Sequence, residues 1–218
     1  DFDLGLERLQ YLNSRCSFPW LLTNLTNVNG TRFASSLDFH IIERSGFKVG
    51  LLGLIEYDWI TTLTCLDVDD IIYEDFLACA QRMSEMLREE RECDLVIALS
   101  HMRLPNDRRL AKLCPGIDLL LGGHDHLFAV EMQGEVLLVK SGTDFLNIAE
   151  ITITRVHEEE AARMETFGED LNDENIKSNH PYQYILKGKW KVELIKRDVT
   201  EDIVPDKAME EHLKLYDN

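Results

Sequence analysis

The stretch DLVIALSHMRLPNDRRLAKLCPGIDLLLGGHDH, residues 94–126, decides the fold. Asp94 to Leu99 is an apolar run of strand length that ends at Ser100-His101. Ile117 to Leu121 is a second such run, closed by Gly122-Gly123 before His124-Asp125-His126. Between them, Asn106 or Asp107 is placed to N-cap a short helix with Leu110 and Leu113 on one face. Strand, helix and strand within about thirty residues predict a βαβ crossover and therefore parallel pairing. Parallel α/β sheets carry ligand sites beyond the carboxyl ends of their strands, so the three histidines are expected to face one crevice. Gly122-Gly123 is expected to let the backbone turn sharply beside a ligand.

Upstream, Phe76, Ala80, Met83 and Leu87 form the apolar stripe of a helix over Glu74 to Glu92, which feeds the Asp94 strand. Phe39 to Glu43 and Phe47 to Ile55 flank Arg44-Ser45-Gly46 as a hairpin; the second run is nearly continuous in apolar residues, as a central strand would be. Trp20 to Thr26 reads as a strand, and Leu6, Leu9, Leu12 and Cys16 mark an opening helix. Tyr57 to Ile72 has no clean period.

Downstream, Phe128 to Met132 and Glu135 to Lys140 are short strands joined at Gln133-Gly134, and Ile148 to Val156 alternates as another. His157 to Asn179 is acidic and poor in apolar residues, which predicts a mobile loop over 157–180. Tyr182 to Val199 returns to strand character, and a helix is expected from Lys207 to Tyr216.

The chain has 218 residues, 44% of them hydrophobic, enough for a sizeable core. A formal net charge of −17 argues against a nucleic-acid polymer or an anionic membrane as the main partner. An anionic small substrate would need local positive charge, which metal cations can supply. Cys16, Cys65, Cys79, Cys93 and Cys114 are widely spaced and odd in number, which predicts reduced thiols and leans towards the cytoplasm. No run is long and apolar enough for a membrane span, and no signal-peptide pattern opens the chain.

Imidazoles favour zinc, iron, manganese or related ions, and His-x-His lets two side chains reach the same crevice. Three imidazoles suffice for one catalytic zinc, whereas a two-metal hydrolytic centre also needs a bridging carboxylate. Arg103, two residues after His101, is a candidate contact for a substrate phosphate. Asp125, although between two candidate ligands, is left outside the site.

These segments, in this order, closely resemble the calcineurin-like metallophosphoesterases, and within them the 5′-nucleotidase branch. The likeness rests on ALSH, ND, LA and IDLLLGGHDH, and extends to FDLGLERL, FPWLLTNLT, GFKVGLLGLIE, SGTDFLNIAEITI and PDKAMEEHLKLY. It implies an α/β fold, part of a four-layer αββα sandwich with mixed sheets, and a metal-dependent phosphoric-ester hydrolase with two divalent metal ions such as Zn, Mn or Fe. It further implies that His101 and His124 bind one ion, that His126 binds its neighbour, and that Asp3 orients the general acid. Asp1 would close an Asn-His-acid triplet whose first two residues precede residue 1, as would the opening Asp-x-His and Gly-Asp motifs.

Residues 1–204 are therefore expected to be an incomplete catalytic domain. Residues 205–218 would be a linker helix leading to a C-terminal domain outside this chain. Such a chain alone is expected to be inactive and to expose a sheet edge and apolar surface, covered by the missing N-terminal half or by another chain. The substrate class is a phosphate ester or nucleotide. The alternative is a non-catalytic structural or interaction module derived from the same fold.

Overall fold

The computed structural model describes residues 5–62, 68–166, 168–204 and 206–213. Asp1, Asp3 and Cys65 lie outside them. In chain order come α1 (Leu6–Arg15), β1 (Leu25–Asn27), β2 (Phe39–Arg44), β3 (Phe47–Ile55), α2 (Asp58–Thr62) and β4 (Ile71–Tyr73). They are followed by α3 (Phe76–Glu89), β5 (Leu95–His101), α4 (Leu104–Leu113), β6 (Leu119–Gly122), β7 (Phe128–Gln133) and β8 (Val136–Ser141). The remainder is β9 (Asn147–Arg155), α5 (Glu158–Ala161), β10 (Leu171–Asn172), β11 (Pro181–Leu186), β12 (Trp190–Asp198) and α6 (Lys207–Leu213).

A seven-stranded mixed sheet runs β10-β7-β8-β6-β5-β3-β2, and a three-stranded antiparallel sheet runs β11-β12-β9. The centre of the large sheet is parallel, as the crossover predicts: β3, β5, β6 and β8 pair side by side. Its helix-side face buries Leu52, Leu54, Val96, Ala98, Leu120 and Leu138 against the apolar stripes of α3 and α4. Its other face buries Leu95, Leu119, Leu137 and Val139 against Tyr184, Trp190, Val192 and Leu194 of the small sheet. Helix, sheet and sheet are thus three layers of the sandwich.

Local chemistry explains most boundaries. Ser45 and Gly46 both take positive φ, 51° and 81°, so a tight turn links β2 to β3. Asp75 caps α3 by accepting the Leu77 and Ala78 N–H groups. Helix α4 starts earlier than expected. Arg103 rather than Asn106 or Asp107 is its N-cap, because Pro105 fits the first helical turn, where its missing N–H costs nothing. Of the WLLTNLT run only Leu25 and Thr26 lie in a strand, β1; Leu21 makes an isolated bridge to Leu37. The alternation of 182–199 breaks at Lys187 and Gly188, whose positive φ values fold it into the β11-β12 hairpin. The 157–180 stretch, expected to be a mobile loop, contains α5 and the short strand β10, which pairs with β7. Its sparse apolar residues account for this, since Leu171 and Ile176 both enter the core between the sheets.

Asp118 joins all three layers. Fully buried, it accepts from the Val96 N–H at 2.7 Å and from Arg88 of α3, and pairs with Lys187 of the small-sheet turn at 2.7 Å. Asp118→Ala is expected to cost about 3 kcal/mol, the low end for breaking a buried ion pair because Arg88 and Lys187 keep some solvent. Urea denaturation of the variant measures it.

Candidate metal centre

His101 is the last residue of β5. The register sets Leu99 opposite Leu121 and Ser100 opposite Gly122, so the Gly123-His124 turn lies directly beside it. The Gly123 N–H closes the step by donating to the Ser100 carbonyl at 2.7 Å. Neither glycine of the pair has a positive φ; it is His124 that takes the left-handed value of 72°. The glycines serve close approach instead. A Cβ on Gly123 would stand 3.3 Å from His101 Nδ1, and one on Gly122 would stand 3.0 Å from Asp107 Oδ2. This corrects the expected sharp turn at the glycines.

The His101 and His124 rings lie 5.2 Å apart between centroids. Trp59 of α2 stands edge-on to both, at 4.7 Å and 5.6 Å. Partial desolvation, reinforced by His124, holds the His101 pKa below its ordinary 6.5. His101 is therefore neutral near pH 7, the state in which imidazole donates to a metal. His126 is exposed, and among the described residues no three His, Cys, Asp or Glu side chains gather to hold one ion. The described donors fit a transition-metal ion in kind, as an adjacent pair of imidazoles, but two donors fall short of a complete shell.

Arg103 is exposed at the same edge. Its Nη1 lies 2.6 Å from Asp58 and 3.2 Å from the buried Glu56, whose other oxygen accepts from Asn106 at 2.5 Å. Its Asp58 hydrogen bond raises the guanidinium pKa further.

Four further residues stand near the histidines: Trp59 and Lys140 escaped sequence reasoning, Asp107 was read only as a helix cap, and Asp125 was left outside the site. Trp59 sits in the aperiodic stretch. Asp107 is buried and accepts from Ser100 at 2.6 Å. Lys140, at 1% exposure, lies 2.7 Å from Asp107 and 3.2 Å from Asp125. Asp125 also accepts the Leu104 N–H. Burial raises the Asp107 pKa against the pull of Lys140 and Ser100. At Asp125 burial also pushes upward, but the Leu104 N–H and Lys140 outweigh it and hold the carboxyl below its usual range. The one signal for Lys140 was a cation closing the apolar run VLLVK.

Beside the pair opens a cavity of about 560 Å³, lined by Trp20, Leu51, Ile55, Trp59, Leu99 and His101 among others. Leu99, on a central strand, is 39% exposed there.

This architecture is the metallophosphoesterase fold. The 5′-nucleotidase precursor of Thermus thermophilus superposes with a TM-score of 0.72 at 16% identity, over 99% of this chain and 40% of its own. In sequence, the chain is 29% identical to Protein 5NUC of Lutzomyia longipalpis over 134 residues, 59% of this chain and 22% of that protein. It is 26% identical to the uncharacterized metallophosphoesterase YunD of Bacillus subtilis, over 69% of this chain and 32% of that one. No protein-family model matches the chain. The chain is thus similar in fold to a 5′-nucleotidase precursor and in sequence to a metallophosphoesterase. It spans about a fifth to a third of the length of these curated relatives. Among the described residues no helix is long and apolar enough to cross a membrane.

Because the folded pKa of His101 is depressed, an unfolded chain takes up a proton below pH 6.5 that the folded chain does not. Stability is therefore expected to fall as pH drops from 6.5 through the folded pKa. His101 is already partly open to solvent, so Trp59→Ala should remove the cover that remains on the ring and raise that pKa, which an NMR titration of His101 reads directly.

Proposed function

We propose that this chain supplies one wall of a dinuclear centre that hydrolyses phosphate monoesters of the nucleotide class. The carrying observation is the His101–His124 pair, placed by parallel register at the carboxyl end of the sheet and held under Trp59. In this reading His101 and His124 hold one divalent ion and His126 its neighbour. Such ions polarise the ester and activate water for attack. The chain's own residues set the conditions. Desolvation keeps the His101 lone pair free of a proton, Trp59 excludes water from one side of both rings, and the Gly123 N–H fixes the spacing of the two loops.

Asp3 would orient the general acid, and Arg103 would reach the phosphate by exchanging Glu56 and Asp58 for it. The other ligands would come from outside the described residues. The bare Leu99 face supports that completion, because a central parallel strand is ordinarily covered on both sides. The covering segment would be an N-terminal half of the same protein or another chain.

Metal analysis after dialysis against Zn²⁺ or Mn²⁺ tests this. His101→Ala and His124→Ala should each weaken binding by more than about tenfold. Equal metal content in wild type and both variants would favour a non-catalytic module. The chain alone should hold fewer than two ions and should not turn over AMP; two stoichiometric ions with full activity would refute the incomplete-centre reading.

A further inference from the structure

Lys140 is the least expected side chain in the sheet. It lies on β8, opposite Gly122 of β6 and Ala129 of β7, where every other position from Val136 to Val139 is apolar and buried. Its stem crosses Gly122 so closely that a Cβ there would stand 3.2 Å from its Cγ and 3.3 Å from its Cε. Its ammonium donates to the Met102 carbonyl at 2.8 Å and to the Gly123 carbonyl at 2.5 Å, and pairs with Asp107 and Asp125. Met102 follows His101 directly, and Gly123 directly precedes His124. One buried ammonium thus touches both loops that carry the candidate ligands.

A buried ammonium is a poor way to gain stability, because desolvation offsets its attractions. What it does supply is fixed geometry: donors that hold two separate backbone segments at one spacing. The left-handed backbone of His124 needs such support, since a strained residue persists only where its neighbours over-determine it. Asp125 extends the tie to the first turn of α4 through the Leu104 N–H, and Asp107 extends it back to Ser100.

We propose that Lys140 is a positioning residue, the clamp that fixes the separation of His101 and His124. The proposal rests on the metal-centre reading above for its purpose and on the geometry of the two loops for its existence, so the two can be tested apart.

Lys140→Met alone strands a buried carboxyl and risks unfolding the chain. The double variant Lys140→Met/Asp107→Asn removes both charges and is the informative protein. Its circular dichroism should match wild type. Amide exchange at Gly123 and Asp125 should accelerate by about tenfold or more while Ile97 and Leu120 stay protected. The nuclear Overhauser contact between the His101 and His124 rings should weaken. Zn²⁺ affinity of the whole chain should drop about tenfold or more. Unchanged exchange and ring contact in the folded double variant would overturn the clamp, and so, where His101→Ala does weaken Zn²⁺ binding, would an unchanged Zn²⁺ affinity despite loosened loops. If the loops loosen but wild-type chain binds Zn²⁺ no better than His101→Ala, the clamp stands and the metal-centre reading falls.

Discussion

The site depends on the register of four parallel strands. With β3, β5, β6 and β8 hydrogen-bonded side by side, Ile55 must lie opposite His101, Ser100 opposite Gly122, and Gly122 opposite Lys140. A slip of one residue would turn every side chain of the slipped strand to the other face, which the packing of Leu52, Ala98, Leu120 and Leu138 under α3 and α4 forbids. Hydrophobic patterning along the strands therefore fixes where His101 and Lys140 stand, although neither belongs to the apolar pattern.

Charged groups are buried where layers must be joined. Asp118 holds α3, the large sheet and the β11-β12 turn, while Glu131 of β7 takes a two-toothed grip from Arg108 of α4 at 2.6 Å and 2.7 Å. Lys140 and Asp107 do the same between β8 and α4, directly beneath the histidine loops. None of these pairs is needed to drive collapse, which the apolar faces accomplish; each selects one relative placement of elements that apolar contact would tolerate in several.

The sequence revealed what periodicity encodes. The parallel core followed from two apolar runs flanking a short helix, and the β2-β3 turn from Arg44-Ser45-Gly46. Asp107 was misread as a cap because its chemistry suits a helix start, whereas tertiary burial against Lys140 decides its place. Lys187-Gly188 passed unnoticed inside an alternating run, since a two-residue turn barely disturbs a period of two. Leu171 and Ile176 are two apolar residues in a long acidic tract, too few to announce that the tract packs on β7. Trp59 and Lys140 lay beyond reach for another reason: they meet the histidines only through the folded sheet.

A histidine with a structural role ordinarily spends its ring nitrogens on hydrogen bonds to the protein. Among the described residues, no hydrogen bond engages the ring nitrogens of His101 or His124, although both rings are packed edge to face with Trp59. Packing against an indole edge restrains such a ring in orientation without occupying its lone pair. His124, moreover, occupies a left-handed backbone position that glycine would take more easily, with two glycines available immediately before it in sequence. His101 is exposed and His124 half-buried, so water can reach their ring nitrogens; of the two features, the left-handed backbone of His124 is the one unfavourable in itself. Metal-bound histidines usually donate their second ring N–H to a neighbouring carboxylate or carbonyl. On the proposed reading, a polypeptide that covered Leu99 would have two tasks at this edge, to shield the strand and to supply that acceptor.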